Sequence, residues 1–132
     1  MLNAVTTFDT SKHHILIEFY ITDKNGIRHA LAGVIDTGAP QTELSDKFLD
    51  YAGFIDGPNE NVKIKPDLQT QKYAKLFLPT VDICGYSIDD FEVFISRFDT
   101  SWGIDALIGL DFFRQFKVTI DYAKGIIITE PY

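Results

Sequence analysis

The sequence predicts an all-β protein with small helical content, folded as a small, closed and mostly antiparallel β-barrel. Two observations favour this class: apolar, β-branched runs of strand length are numerous, and short stretches of turn-forming residues separate them. The chain has 132 residues, of which 45% are hydrophobic and 14% aromatic. That is enough to build the core of one ordinary domain, so we expect a single domain over residues 1–132.

The first predicted element is a β-hairpin. Residues 14–21 are apolar and β-branched, and the run 27–35 is expected to return antiparallel to them after Asn25 and Gly26. The Asn-Gly pair favours a type I′ turn, because both central residues of that turn need a φ above zero. Asp36 directly follows this returning strand.

A short helix and two further strands are predicted next. Ser45 is expected to begin the helix and Gly53 to end it. Beyond the helix, apolar residues on either side of the polar stretch 65–72 predict two strands joined by a long polar tip. These apolar residues are Val62, Ile64, Tyr73, Leu76 and Leu78. A tip around residues 57–59 is an alternative that would need a different strand register.

Five elements are predicted in the C-terminal half. In chain order they are a strand pair over 81–95 with its turn at Gly85 and Tyr86, a loop over 97–105, a short buried strand over 106–109, a brief helix over 112–116, and a closing hairpin with strands 118–121 and 126–129. We assign Asp111 as the N-cap of the brief helix. Asp121 precedes the last turn and is given a structural role.

The stretch Asp36, Thr37, Gly38 and Ala39 is the strongest candidate for chemistry. It places a carboxylate directly after a run that reads as a buried strand. An ionised carboxylate is costly to bury unless it gains hydrogen-bond donors or shares a proton. Thr37 offers a hydroxyl, and Gly38 lets the backbone approach another group closely. The arrangement suits a carboxylate held for catalysis, although the same four residues would also suit an ordinary turn after a strand.

Two motifs in order give this sequence a family resemblance. The stretch DTGA at 36–39, the stretch ALIGLDFF at 106–113 and the closing VTIDYAKGIIIT hairpin together resemble the retropepsin-like, single-domain aspartic proteases of the retroviral type. The similarity spans nearly the whole chain. Leu110 follows Gly109 as in cellular and bacterial members, whereas viral members usually carry Arg there. The resemblance implies a retropepsin-like closed β-barrel with a flap hairpin, yet the tip at 65–72 lacks the usual glycines.

The resemblance also implies an activity and the residues that perform it. The chain would be an aspartic endopeptidase that hydrolyses peptide bonds with a water activated between two carboxylates. One such motif supplies one carboxylate, so the implied enzyme is a homodimer with one Asp36 from each chain. Asp36, Thr37 and Gly38 are the implied catalytic residues, with Thr37 bonding across the dimer. Gly38 and Ala39 are the implied substrate-binding residues, and Gly109 permits close packing behind the loop.

A second hypothesis from another class stays open. The same fold could serve as a non-catalytic peptide-binding or dimerisation module. The unusual flap tip and the acidic charge favour this alternative. A chain that is monomeric at micromolar concentration, or that cleaves no peptide near acidic pH, would favour this alternative.

The composition of the chain limits the kinds of partner that it can bind. The chain has 12 Lys and Arg against 19 Asp and Glu, a net charge of −7 and a pI near 4.7, so we expect no nucleic-acid partner. No apolar run approaches the length of a membrane span, and the N-terminus lacks the pattern of a secretory signal. We therefore expect a soluble, cytoplasmic protein without a membrane partner. Its expected partners are a peptide or protein substrate and a second copy of the chain.

Neither a metal nor an organic cofactor is expected. Cys84 is the only cysteine, so it forms no internal disulfide and no zinc site, and we assign it to the core. The histidines, His13, His14 and His29, lack a second cluster at ligand spacing. Trp102 could line a specificity pocket, but a partly buried loop anchor is the favoured assignment.

Overall fold

The computed structural model describes residues 3–132. Met1 and Leu2 belong to the stretch inspected for a secretory signal and lie outside the described residues. Residues 3–132 form nine strands, two short α-helices and one 3-10 turn. In chain order the elements are β1 (Ala4–Thr7), β2 (Leu16–Thr22), β3 (Arg28–Ile35), β4 (Glu43–Ser45), α1 (Asp46–Tyr51), β5 (Thr70–Ile83), β6 (Tyr86–Phe98), the 3-10 turn (Thr100–Trp102), β7 (Ala106–Ile108), α2 (Leu110–Phe113), β8 (Phe116–Asp121) and β9 (Ile126–Pro131).

Six strands close into a barrel in the order β2-β3-β7-β4-β6-β5, and β1, β9 and β8 form a separate three-stranded sheet. This confirms the predicted all-β class. Most pairs are antiparallel, but β3 runs parallel to β7, with Ile35 opposite Ile108. Because the carboxyl ends of neighbouring parallel strands lie at the same edge of a sheet, Asp36 and Gly109 emerge side by side.

The core fills the barrel and extends under the terminal sheet. Its fully buried side chains come from the strands and from both helices, as Phe19, Leu49, Phe112 and Ile127 illustrate. Alternating burial along β2 shows the expected pattern, with one face inside and the other in solvent. Within residues 3–132, no helix is long and apolar enough to cross a bilayer.

The first hairpin has a different turn from the predicted type I′ turn. Only Gly26 has a positive φ, of 82°, and the last strand pair is Thr22 with Arg28. The carboxylate of Asp23 accepts hydrogen bonds from the N–H groups of Asn25 and Ile27, at 2.8 and 3.0 Å. This side chain widens the turn, and the type I′ prediction at Asn25 and Gly26 is therefore wrong.

A two-residue turn with both φ values positive occurs elsewhere. Cys84 has a φ of 51° and Gly85 a φ of 81°, and they join Ile83 directly to Tyr86. Cys84 is buried, as predicted for a small core residue, and burial raises the pKa of its thiol. It is therefore a turn residue with an inert thiol rather than a nucleophile.

The Asp23 turn gives a prediction on acid stability. His29 Nε2 lies 2.8 Å from Asp23 Oδ2, and this hydrogen bond, followed by that from Ile27 N–H, lowers the pKa of Asp23 below its usual value near 3.8. A lowered pKa stabilises the fold above the unfolded value, and that contribution disappears as the pH falls through the folded value. We expect Asp23→Asn to lower the urea midpoint at pH 7 and pH 5, with the gap closing towards pH 3.

Urea unfolding of both proteins at each pH measures this gap. The control is Asp56→Asn, since Asp56 is exposed and makes no hydrogen bond within residues 3–132. A gap between wild type and Asp23→Asn that stays constant down to pH 3 would contradict the assignment.

Two predictions between α1 and β5 need correction. Helix α1 begins after Ser45 and ends before Gly53, as predicted. Val62 and Ile64 do not form a strand, because the Val62 carbonyl accepts from the Arg97 side chain and not from a neighbouring strand. The polar stretch 65–72 is only partly a tip, since its last three residues belong to β5. The alternative tip at 57–59 is wrong as well, because no strand lies in the described residues 52–69, between α1 and β5, to form a hairpin around it.

The C-terminal elements agree with the prediction except at three places. The turn predicted at Gly85 and Tyr86 lies at Cys84 and Gly85, because Tyr86 already belongs to β6. The loop predicted over 97–105 is shorter, because β6 continues to Phe98 and residues 100–102 form the 3-10 turn. The buried strand and the closing hairpin are confirmed, and Asp121 accepts the N–H of Lys124 within the last turn.

The third difference is at α2. The helix is shifted: it is capped by Gly109, and Phe116 already belongs to β8. Asp111 is not the N-cap, because it lies inside α2 as its second residue.

Candidate active site

Asp36 is held at the end of β3 by its own loop and by β7. Its N–H donates to the Ile108 carbonyl at 2.9 Å, and its carbonyl accepts from Ala39 N–H at 3.1 Å. The carboxylate oxygen Oδ1 accepts the Gly38 N–H at 3.0 Å. The other oxygen, Oδ2, accepts no hydrogen bond from residues 3–132. A half-buried carboxylate thus has one oxygen fixed and the other available.

Gly109 lies directly behind this loop. The Leu110 N–H donates to the Ala39 carbonyl at 2.8 Å. A Cβ at position 109 would lie 2.7 Å from Ala39 O and 2.9 Å from Gln41 O, which is closer than side-chain carbon atoms approach backbone oxygen. Only glycine fits this contact. The two motifs that carried the resemblance, DTGA and ALIG, are therefore in direct contact.

A second link between the two motifs was not predicted. Thr42 Oγ1 donates to Asp111 Oδ1 at 2.7 Å, and Thr42 N–H donates to Asp111 Oδ2 at 2.9 Å. The Gly109 N–H donates in turn to Thr42 Oγ1 at 3.1 Å. This network fixes the chain leaving the DTGA loop to the start of α2. Because the partners are 69 residues apart, local spacing carried no signal for the pair.

An apolar wall adjoins Asp36. Val34 and Leu107 face each other across β3 and β7 and are buried together with Phe98. The ladder continues through the Asp36 N–H, and side chains two residues apart along a strand point to the same side. Val34 and Asp36 therefore share a side of the sheet. We call the buried set Val34, Phe98 and Leu107 the apolar wall.

Trp102 borders the apolar wall. It is partly buried, and its ring centroid lies 6.0 Å from that of Phe98 and 6.0 Å from that of His14. This agrees with its assignment as a loop anchor. The wall and its flanking aromatic side chain therefore form a small apolar cluster beside Asp36.

The other predicted site residues differ in their surroundings. Thr37 is exposed, and its hydroxyl makes no hydrogen bond within residues 3–132. Ala39 is buried, and its N–H and carbonyl are both used inside the chain, in the bonds to Asp36 and Leu110 described above. In the same part of the chain, no group of three or more His, Cys, Asp or Glu side chains is arranged to hold a metal ion.

Two solved structures are similar to this chain. A retropepsin-like aspartic protease from Rickettsia conorii matches with a TM-score of 0.63 at 19% identity, over 97% of this chain and 90% of that one. The retroviral protease-like domain of Ddi1 from Leishmania major matches with a TM-score of 0.57 at 13% identity, over 90% of this chain and 94% of that one. No family model matches the sequence, and neither does any curated protein.

These likenesses establish the class of fold. The chain has the retropepsin-like fold, an all-β closed barrel, and the fold implied by the two sequence motifs is confirmed.

Proposed function

We propose that this protein is an aspartic endopeptidase, built from one retropepsin-like domain over residues 1–132 and active as a homodimer. The observation that carries the proposal is the DTGA loop, in which Asp36 Oδ1 is fixed by Gly38 and the whole loop rests on Gly109. A barrel strand that ends in a fixed, half-buried carboxylate is suited to general acid–base chemistry. Asp36, Thr37 and Gly38 are the proposed catalytic residues.

The chemistry requires a second carboxylate. One Asp of the pair accepts a proton from water while the other donates a proton to the carbonyl oxygen of the peptide bond. A twofold axis beside Asp36 would supply this partner from a second copy and bring two Thr37 hydroxyls close together. Two carboxylates that share a proton titrate as one unit.

The apolar wall indicates the kind of substrate. An extended peptide presents alternate side chains to the two sides of a cleft, and its backbone can bond to an exposed strand or loop. Val34, Phe98 and Leu107 would accept an apolar side chain next to the reacting bond. Gly38 and Ala39 are the proposed substrate-binding residues, with the Gly38 carbonyl as an acceptor for the peptide N–H.

A dimeric active site predicts that activity depends on protein concentration. We expect the specific activity towards a library of apolar peptides to rise with concentration and to level off once the chain is fully dimeric. Sedimentation over the same range measures the dimer fraction. Two copies joined by a long flexible linker are the control, because their activity should not fall on dilution.

The second candidate function is a peptide-binding or dimerisation module without turnover. The loop between α1 and β5, which lacks the predicted strand, and the net charge of −7 favour it. A fully formed dimer that cleaves no peptide between acid and neutral pH would support this candidate. Constant specific activity in a chain shown to be monomeric would overturn the dimeric mechanism.

A further inference from the structure

The loop between α1 and β5 has few attachments to the rest of the protein. We call residues 58–68 the α1–β5 loop. Two turns inside it are closed by its own hydrogen bonds, from Val62 N–H to Asn59 O and from Leu68 N–H to Lys65 O, both 3.1 Å long. Neither Val62 nor Ile64 packs against the buried core. Something else must therefore hold this loop in place.

Arg97 provides that attachment. From β6, its Nη1 donates to the Val62 carbonyl at 2.9 Å and its Nη2 donates to the Asn59 carbonyl at 2.7 Å. The Asn59 N–H donates to the hydroxyl of Tyr73 at 3.4 Å. Within residues 3–132, these three bonds are the only hydrogen bonds between the α1–β5 loop and the rest of the chain.

The guanidinium is itself fixed by a buried carboxylate. Asp46 is 0% exposed, and its Oδ2 accepts from Arg97 Nε at 2.8 Å and from the Tyr73 hydroxyl at 2.9 Å. The hydrogen bond with Asp46 raises the pKa of Arg97, so the guanidinium stays charged. The planar guanidinium fork thus donates from Nε to Asp46 of α1 and from both terminal nitrogens to the loop, a geometry that lysine cannot copy.

The loop forms one side of a groove that reaches Phe98. A groove of about 640 Å³ is lined by Pro58, Val62 and Ile64 from the loop, and by Arg97 and Phe98 from β6. Phe98 belongs to the apolar wall beside Asp36. The position of the α1–β5 loop therefore sets the width of a groove that shares Phe98 with the apolar wall.

We infer that Arg97 is a positioning residue that holds the α1–β5 loop over this groove and thereby sets the affinity for extended peptide substrates. The inference rests on the proposed peptidase function. Arg97 does not contact the reacting atoms in this scheme. Its loss should weaken substrate binding and leave the chemical step at Asp36 nearly unchanged.

Arg97→Lys is the most direct test, because it keeps a cation beside the buried Asp46 but removes the fork that reaches the two carbonyls. Losing two hydrogen bonds is expected to speed amide hydrogen exchange in residues 58–68 by about tenfold or more. KM for an apolar peptide should rise by about tenfold while kcat stays within about twofold. Arg114→Lys, at an exposed arginine that directly follows α2, is the matched control and should change neither quantity.

Tyr73→Phe gives a second, milder test that does not depend on the folding of the Arg97 variant. It removes the hydroxyl that accepts from the Asn59 N–H and donates to Asp46 Oδ2, keeps Arg97 in place, and should speed exchange at the Asn59 end of the loop. Unchanged exchange in both variants would overturn the role of Arg97 in holding the loop. Faster exchange with an unchanged KM would overturn its role in substrate affinity but leave the peptidase intact. A wild-type dimer that cleaves nothing would instead refute the proposed function, while hydrogen exchange would still decide whether Arg97 holds the loop.

Discussion

Asp36→Asn abolishes peptide cleavage and leaves the fold and the dimer in place. The amide has the shape of the carboxylate, and its oxygen can still accept the Gly38 N–H that fixes Oδ1. What the variant loses is the ability to exchange a proton with water and substrate. Removing one positioned acid–base group costs about 10²- to 10⁴-fold in rate, and here both chains of the dimer lose it. We therefore expect a fall of at least about 10³-fold.

The measurement is cleavage of a peptide library, together with sedimentation and thermal unfolding of the same sample. Asp56→Asn, which changes an exposed carboxylate outside the site, is the matched control and should keep full activity. Undiminished cleavage by a folded Asp36→Asn dimer would exclude the proposed function. Lost activity together with lost dimerisation would place Asp36 in the interface and not in the chemistry.

Mixing the wild-type protein with Asp36→Asn tests whether the active site is shared between two chains. In an equal mixture of exchanging chains, about one quarter of the dimers carry two Asp36 carboxylates. The specific activity should then fall to about one quarter of the wild-type value, because a single carboxylate cannot be both acid and base. A fall to one half would mean that each chain works alone, and would contradict a site shared between two copies.

The parts of the fold that were predictable are the local ones. The β3 strand and the turn-separated hairpins follow from apolar runs and turn residues that lie next to each other in the chain. The two motifs that form the candidate site are similarly short and contiguous. Their contact through Gly109 was predicted from the family resemblance alone, because a stretch of four residues does not specify which residues pack behind it.

The parts that were missed depend on side chains far apart in sequence. Thr42 and Asp111 are 69 residues apart, and Arg97 is 51 residues from Asp46. Each of these acidic residues could have been a helix cap or a surface charge as far as local spacing shows. The prediction of a strand at Val62 failed for the same reason, because a distant arginine took the carbonyl that a neighbouring strand would have used.

Gly109→Ala is expected to displace the catalytic loop. The φ of Gly109 is −101°, a value that alanine adopts readily, so the cost is not backbone strain. The cost comes from steric overlap, because the new Cβ would lie 2.7 Å from Ala39 O and 2.9 Å from the carbonyl carbon and oxygen of Gln41. Backbone atoms cannot rotate away as a side chain can. Overpacking of this kind costs about 1–3 kcal/mol of unfolding free energy.

The larger effect should be on activity. The atoms that must move belong to the residues directly after Asp36, and a displacement of about 1 Å in a catalytic group can cost about 10²-fold in rate. Urea unfolding measures the loss of stability. The value of kcat, at a concentration where the chain is fully dimeric, measures the loss of activity.

Gly33→Ala is the matched control, because it separates loss of stability from displacement of the loop. Its Cβ would also be crowded, at 2.9 and 3.1 Å from Ile108 Cδ1 and Cγ1 and 3.0 Å from Phe19 Cε1, but these are side-chain atoms in the core and not the backbone of the DTGA loop. Gly33→Ala should therefore lose stability, by about 1 kcal/mol, and keep most of its activity. If Gly109→Ala matched this control in kcat per dimer, the contact behind the DTGA loop would be a packing feature without a part in holding Asp36.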